Sequence, residues 1–348
     1  MDTNDDGASE ALARFEGVLL GTAIGDALGL ACEGLSPRVI AKRFGRVDRY
    51  RLLGATGWVS DDTEQSALVA QALVASGGAL EPCVGAFRRS LLGWFWRLPW
   101  GLGFATLRAC IKLTLGVAQS GVRSAGNGAA MRSAVIGALF RHDTERREAM
   151  ARALASVTHT DPRAVEAAVF VANVSAATGA AHERIAYARA RLSEPALCVA
   201  LDRAEALRGR GATMLDAARE LGTSGFVVHT LAMAAYAFAS RGDGALEDLL
   251  PELYGVGGDT DSIGAIVGAW YGALHGGSAL PARWVDALQS GPFGAAHLRA
   301  LAADLARLSH GERPATPARF SWIYAMARNL ALYPVVLAHG FRRLAPPY

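Results

Sequence analysis

Glycine recurs every fourth residue at Gly17, Gly21, Gly25 and Gly29, and again far along the chain at Gly264, Gly268 and Gly272. Residues 15–30 and the apolar run after Asp259 both read as helices. An interior glycine costs a helix about 1 kcal/mol relative to alanine. Such a stripe is tolerable only where a bare helix face lets a neighbouring backbone come close and packing recovers the loss. The chain is therefore expected to build a tight centre from helices with bare faces. Stripes of this spacing are familiar in membrane helices, but Asp26 and Asp261 sit in these segments. Apolar runs elsewhere are broken by Arg97 or His229 before reaching membrane-spanning length, so a soluble, cytoplasmic protein without a membrane partner is expected.

Strand-like alternation is scarce, which points to an all-α class. With 348 residues, 51% of them hydrophobic and 19% charged, the chain can bury a sizeable core. No Pro/Ser-rich linker divides it. The expected organisation is a compact single-domain multi-helix bundle over residues 13–312, with a flexible tail at 1–12 and a C-terminal helical extension at 313–348. A net charge of +3 without a basic block does not imply nucleic acid as a partner. Cys32, Cys83, Cys110 and Cys198 stand singly, as reduced thiols would.

Two acidic clusters carry the chemistry. Ser60-Asp61-Asp62-Thr63 opens the helical run 64–75, and Gly257-Gly258-Asp259-Thr260-Asp261-Ser262 opens the second glycine-striped helix. Either one alone reads as a helix cap: Asp is a favoured cap, and Asp62 with Gln65 has capping-box spacing. One carboxylate is enough for a cap, however, and two pairs of like charges repel. Brought face to face they make an all-oxygen site for Mg²⁺ or Mn²⁺ rather than zinc. That reading requires Asp61 and Asp62 to lie within about 10 Å of Asp259 and Asp261. Asp26 and then Glu33 emerge beside the same centre.

Ser124-Ala125-Gly126-Asn127-Gly128-Ala129-Ala130-Met131-Arg132 reads as a small-residue turn entering a helix that runs to Phe140. It is either a plain turn or a cradle of backbone amides for a diphosphate. It lacks the strand, acidic residue and lysine of the common nucleotide fingerprints. His159 precedes Asp161-Pro162, a helix start, and is either a structural histidine or a site residue displayed on a loop. The aromatic knot Trp94-Phe95-Trp96-Arg97-Leu98-Pro99-Trp100 anchors the core or lines a cleft. Residues 163–208 read as helical with a break near Pro195. Residues 320–344 form an apolar helical segment, interrupted at Pro334, that docks on the body or meets a partner.

Gly21-Thr22-Ala23-Ile24-Gly25-Asp26-Ala27-Leu28-Gly29 with Glu33, the Ser60–Thr63 cluster, Gly126–Arg132, Thr158-His159-Thr160-Asp161 and the Gly257–Ser262 cluster together resemble the ADP-ribosylglycohydrolase family. The resemblance runs in motif order over residues 15–308. It implies an all-α fold with a central binuclear metal cleft holding two Mg²⁺, or Mn²⁺ in their place. By this likeness Ser60, Asp61, Asp62, Asp259, Asp261 and Ser262 are the metal ligands. Glu33, Asp62, Asp259 and Asp261 would serve catalysis. Ser124, Gly126, Asn127, Gly128, Ala129, Met131, His159, Gly257 and Gly258 would hold the ADP-ribose. The implied activity is hydrolysis of the glycosidic bond of ADP-ribosylated protein, with arginine the leading acceptor and serine or a nucleobase behind it. Ser262 in place of threonine leans toward arginine. Alternatives are an ADP-ribose-binding immunity protein facing a cognate ADP-ribosyltransferase, and a metal phosphohydrolase acting on the diphosphate. Two departures stand out: Gln65 where an apolar residue commonly follows the aspartates, and a segment after Pro314 without counterpart.

Overall fold

The computed structural model describes residues 3–312 and 316–344. Among them are seventeen α-helices and no sheet. In chain order these are α1 (Thr3–Gly29), α2 (Pro37–Arg43), α3 (Asp61–Ser76), α4 (Leu80–Phe95), α5 (Phe104–Thr114), α6 (Ala134–Leu139), α7 (Thr144–Ser156), α8 (Pro162–Ala176) and α9 (Ala181–Arg189). They continue with α10 (Pro195–Gly209), α11 (Met214–Leu221), α12 (Val227–Arg241), α13 (Leu246–Tyr254), α14 (Thr260–His275), α15 (Ala282–Asp286), α16 (Ala295–Ser309) and α17 (Trp322–Leu344).

The two glycine stripes meet each other. A Cβ on Gly17, Gly21 or Gly25 would fall closer than 3.0 Å to the carbonyl of Gly272, Gly268 or Gly264 respectively, and one on Gly29 would strike Thr260. α1 and α14 thus run antiparallel with their backbones in contact over three turns. Their junction is pinned where Thr260 Oγ1 donates to Gly29 O (2.7 Å) and Tyr254 OH donates to Gly25 O (2.7 Å). Around this pair α3, α6, α8, α12 and α16 complete one continuous apolar core, with Trp94, Trp270, Trp284, Phe15 and Phe170 fully buried.

Several element boundaries differ from the sequence expectation. α1 begins at Thr3, so residues 3–12 form its first turns; Ala11 continues the buried face of Phe15, and Glu10 accepts from Arg14 and Arg141. α13 is an element the sequence reading missed, because Pro251 lies inside it. The turn expected at Ser124–Arg132 includes a 3-10 turn, Asn127–Ala129, and the helix expected to follow it to Phe140 is only the short α6. Residues 163–208 break at 177–180 as well as before Pro195, with Gly179 at φ 89°. Residues 313–315 and the Pro-Pro-Tyr terminus lie outside the described residues.

α17 packs across α3 and α4. Its Arg328 forms a buried ion pair with Glu64, in the first turn of α3, and Trp94 Nε1 donates to the same carboxylate. Asn329 Nδ2 donates to Arg97 O (2.9 Å) and Tyr333 OH to Pro99 O (3.2 Å), bracing a turn in which Leu98 holds φ 55°. The aromatic knot splits accordingly: Trp94 and Trp100 are core, while Trp96 is exposed.

Candidate active site

α3 and α14 start side by side, so the two acidic clusters meet. Carboxylate oxygens of Asp26, Asp62 and Asp261 lie within 4.8 Å of one another, and those of Glu33, Asp259 and Asp261 form a second such trio. Asp261 belongs to both. Ser262 Oγ donates to Asp62 Oδ2 (3.3 Å) across the junction. Glu33 reaches the cluster because Gly34 N donates to Gly258 O (2.7 Å) and Gly258 N to Leu35 O (3.2 Å), pairing the chain after α1 with the approach to α14.

The capping alternative fails on geometry. α3 is capped by Ser60, whose Oγ accepts from Asp62 N (3.2 Å), and the Asp259 side chain makes no cap hydrogen bond. Gln65 makes no capping box either; its Nε2 donates to Asp61 Oδ2 (3.0 Å). The carboxylates are therefore held for another purpose. Burial, and then the charges of Asp26 and other neighbours, push Asp61 well above the usual carboxylate range. Burial and the charge of Asp61 do the same to Asp62, and burial and Glu33 to Asp261. Burial raises Asp26 and Asp259 to about 6.

Asp26, expected beside this centre but not among its ligands, belongs to the cluster itself. It is wholly buried beneath the cluster, and its Oδ2 accepts from Ser60 N (2.8 Å), Thr63 N (3.2 Å) and Thr63 Oγ1 (2.5 Å). Its signal was a carboxylate interrupting a glycine-striped apolar helix. Oδ1 of Asp26, Asp62 and Asp261 are buried without a hydrogen-bond partner. Buried anionic oxygens left unpaired are costly, and an oxygen-seeking divalent cation supplies what they lack. The residues present fit such an ion.

Above the carboxylates opens a cavity of about 530 Å³. Glu33, Asp61, Asp62, Asp259, Asp261 and Ser262 line it together with Ser124, Gly126, Asn127, Gly128, Met131, His159 and Gly258. Three expected site residues are absent from its wall. Ser60 is the cap behind Asp62, Ala129 packs against Ala155 and Ala168, and Gly257 lies against Leu35 with φ 72°. At each of them the backbone is crowded or capped. Gly101, Gly103, the first turn of α5 and Ser224-Gly225 also line the cavity, with Phe104 exposed. The sequence showed only a glycine turn there.

The turn at 126–128 is not the mouth of a helix, since α6 begins at Ala134. It is instead fixed from both sides. Asn127 N donates to Gly225 O (3.2 Å), and Asn127 Nδ2 donates to Asp259 Oδ2 and to Thr230 Oγ1 (3.1 Å). From below, buried Arg132 gives Nη1 to Gly128 O (2.8 Å) and Gln65 Oε1 (2.6 Å), and Nη2 to Thr158 Oγ1 (2.7 Å). The same hydroxyl is hydrogen-bonded to His159 Nδ1 (2.8 Å), which holds the ring in place. Nε2 faces the turn beside Gly126 and Gly128. Burial, and then Arg132, hold the His159 pKa down at about 3, so the ring is neutral. Asp161 behaves as expected of a cap: its Oδ1 accepts from Arg163 N (3.0 Å).

Fold and site together define an all-α hydrolase built over a buried carboxylate cluster. A family model described as ADP-ribosylglycohydrolase matches residues 8–315, and the chain belongs to that family of glycosidic-bond hydrolases, which acts on ADP-ribosylated substrates. An uncharacterized protein of Archaeoglobus fulgidus is 32% identical over 296 residues, 80% of this chain and 93% of that one. The ADP-ribosylarginine hydrolase Tri1 of Serratia proteamaculans is 26% identical over 293 residues, 80% of this chain and 76% of the relative. A counterpart of the same name from Pseudomonas putida is 27% identical over 290 residues. A solved structure described as an ADP-ribosylglycohydrolase-related protein complex superposes with a TM-score of 0.65 at 28% identity, covering 86% of this chain and 99% of its own.

Proposed function

We propose that the protein is a Mg²⁺-dependent hydrolase that releases ADP-ribose from modified arginine side chains of proteins, with Mn²⁺ able to replace Mg²⁺. The observation that carries the reading is the pair of carboxylate trios sharing Asp261 at the floor of the cavity. Two trios suit two ions, with Asp62, Asp259 and Asp261 as principal ligands and Asp26 beneath them. Arginine as the acceptor draws support from the two relatives named as ADP-ribosylarginine hydrolases. Bound there, divalent cations would supply positive charge to hold the vicinal ribose hydroxyls and polarise water.

The chain's own residues do the rest. His159 Nε2–H donates to an oxygen of the substrate without adding a charge, and Gly128, bare beside the imidazole, leaves the diphosphate room to reach that donor. Asn127 ties that turn to Asp259, so the nucleotide end and the reacting ribose are positioned by one network. Glu33, half-buried at the cavity wall, takes or gives the proton that passes between water and the leaving guanidine.

The test is incubation of the full chain with arginine- and serine-ADP-ribosylated protein, with and without EDTA, and mass identification of the product. Free ADP-ribose from the arginine adduct is expected, lost with EDTA and in Asp62→Ala and Asp259→Ala. Release of AMP would place attack at phosphorus and end this reading, and turnover undiminished by EDTA would remove the metals from it.

A further inference from the structure

The segment leading into α17 lies beyond the family match, and it closes a second cavity, of about 310 Å³, against α3 and α4. This cavity shares no lining residue with the catalytic one. Arg89 reaches it from α4, Arg97 from the turn that follows, and Arg319 from the segment before α17; none of its described lining residues is acidic. None of the three guanidinium groups forms a salt bridge with a described residue.

Arg97 is only 6% exposed. Its guanidinium lies over the rings of Phe320 (5.0 Å) and Phe293 (5.5 Å), and burial lowers its pKa. The carboxylate whose field reaches it, Glu64, is already bonded to Arg328 and Trp94. Arg89 and Arg319, both exposed, line the same cavity, so its described wall carries three guanidinium groups and no carboxylate. Guanidinium forks match phosphate oxygens in geometry and charge. Phe320 and Trp322, the latter half-exposed with Nε1 donating to Gly93 O (3.2 Å), add flat apolar walls against which a ring can lie.

We infer that this cavity binds a small organic phosphate of mononucleotide size, its phosphate among Arg89, Arg97 and Arg319 and its ring against Phe320 and Trp322. The volume is at the small end of ligand pockets, which excludes a dinucleotide. The inference stands apart from the catalytic reading, since it uses none of the same residues.

Calorimetric titration of the full-length protein with AMP tests it, with inorganic phosphate and adenosine as partial ligands. Arg89 and Arg319 have exposed side chains, so Arg89→Ala/Arg319→Ala retains the fold. AMP is expected to bind, inorganic phosphate more weakly, and adenosine not at all. The double variant should weaken AMP at least tenfold, and Asp259→Ala should leave that binding in place. The inference falls if AMP gives no binding heat, if adenosine binds as tightly as AMP, or if the double variant binds AMP as the parent does, which would put the nucleotide in the catalytic cavity.

Discussion

Gly126 and Gly128 differ in what stands behind them. A Cβ on Gly126 would meet His159 Nε2 at 3.5 Å, an ordinary contact, whereas one on Gly128 would sit 3.0 Å from His159 Cε1. The imidazole cannot step aside freely, because Thr158, itself held by Arg132, fixes its other nitrogen. Gly128→Ala is therefore expected to raise KM about tenfold, the loss of one hydrogen bond to a charged oxygen. Gly126→Ala should change it far less. Steady-state kinetics of the two variants, with melting temperatures to confirm folding, separate a displaced donor from general damage; equal KM values would refute the role given to His159. The network Asp61–Gln65–Arg132–Thr158–His159 was not legible in the motifs. Gln65 looked like a departure from the family pattern, and only its burial between Asp61 and Arg132 shows it bridging the two halves of the site.

At the scale of elements, α1 and α14 are held by contact that no larger residue permits. A Cβ on Gly25 would run into the Gly264 carbonyl and must force the helices apart at the level of Asp26 and Asp261. Overpacking a rigid backbone contact costs on the order of 3 kcal/mol. Gly93, in α4, has nothing within 4 Å of its would-be Cβ; Gly93→Ala is expected to stabilise by about 0.5–1 kcal/mol through helix propensity and the unfolded chain. Urea denaturation of Gly25→Ala and Gly93→Ala should thus shift in opposite directions. A shift of the same sign would mean the stripe is incidental. The spacing of the glycines announced this interface, and the cap Asp161 was likewise visible. The boundaries of α6 and α13 were not, because short helices around Ser133 and Pro251 are set by what they pack against rather than by local preference.

For the whole molecule, the buried carboxylates set a conflict between charge and fold. Asp26 and Asp259 rise from an ordinary 3.8 to about 6 without cations. A carboxyl with a raised folded pKa stabilises the fold fully below its unfolded pKa, and that stabilisation is lost as pH rises through about 6. Each such group corresponds to on the order of 3 kcal/mol. The EDTA-treated protein is therefore expected to melt at a lower temperature at about pH 8 than at about pH 5, and Mg²⁺ should raise the melting temperature by an increment that grows over the same interval. A metal-free melting temperature that stays level across this interval would show that the carboxylates are not in conflict.

No described helix is long and apolar enough to cross a membrane, even though the glycine stripe has that spacing. The charges inside α1 and α14 point to the reason: the apolar faces cover a carboxylate site instead of facing lipid. The sequence by itself determined the all-α class, the bare-faced central helices and the two acidic clusters, because periodicity and residue type are local properties. Tertiary structure alone decided that Asp26 lies under the cluster, that Asp261 serves both trios, that Ala129 and Gly257 stand back from the cavity wall, and that Arg97 and Arg319 share a cavity. Those outcomes depend on which distant segments become neighbours, and a linear order of residues does not record distance in space.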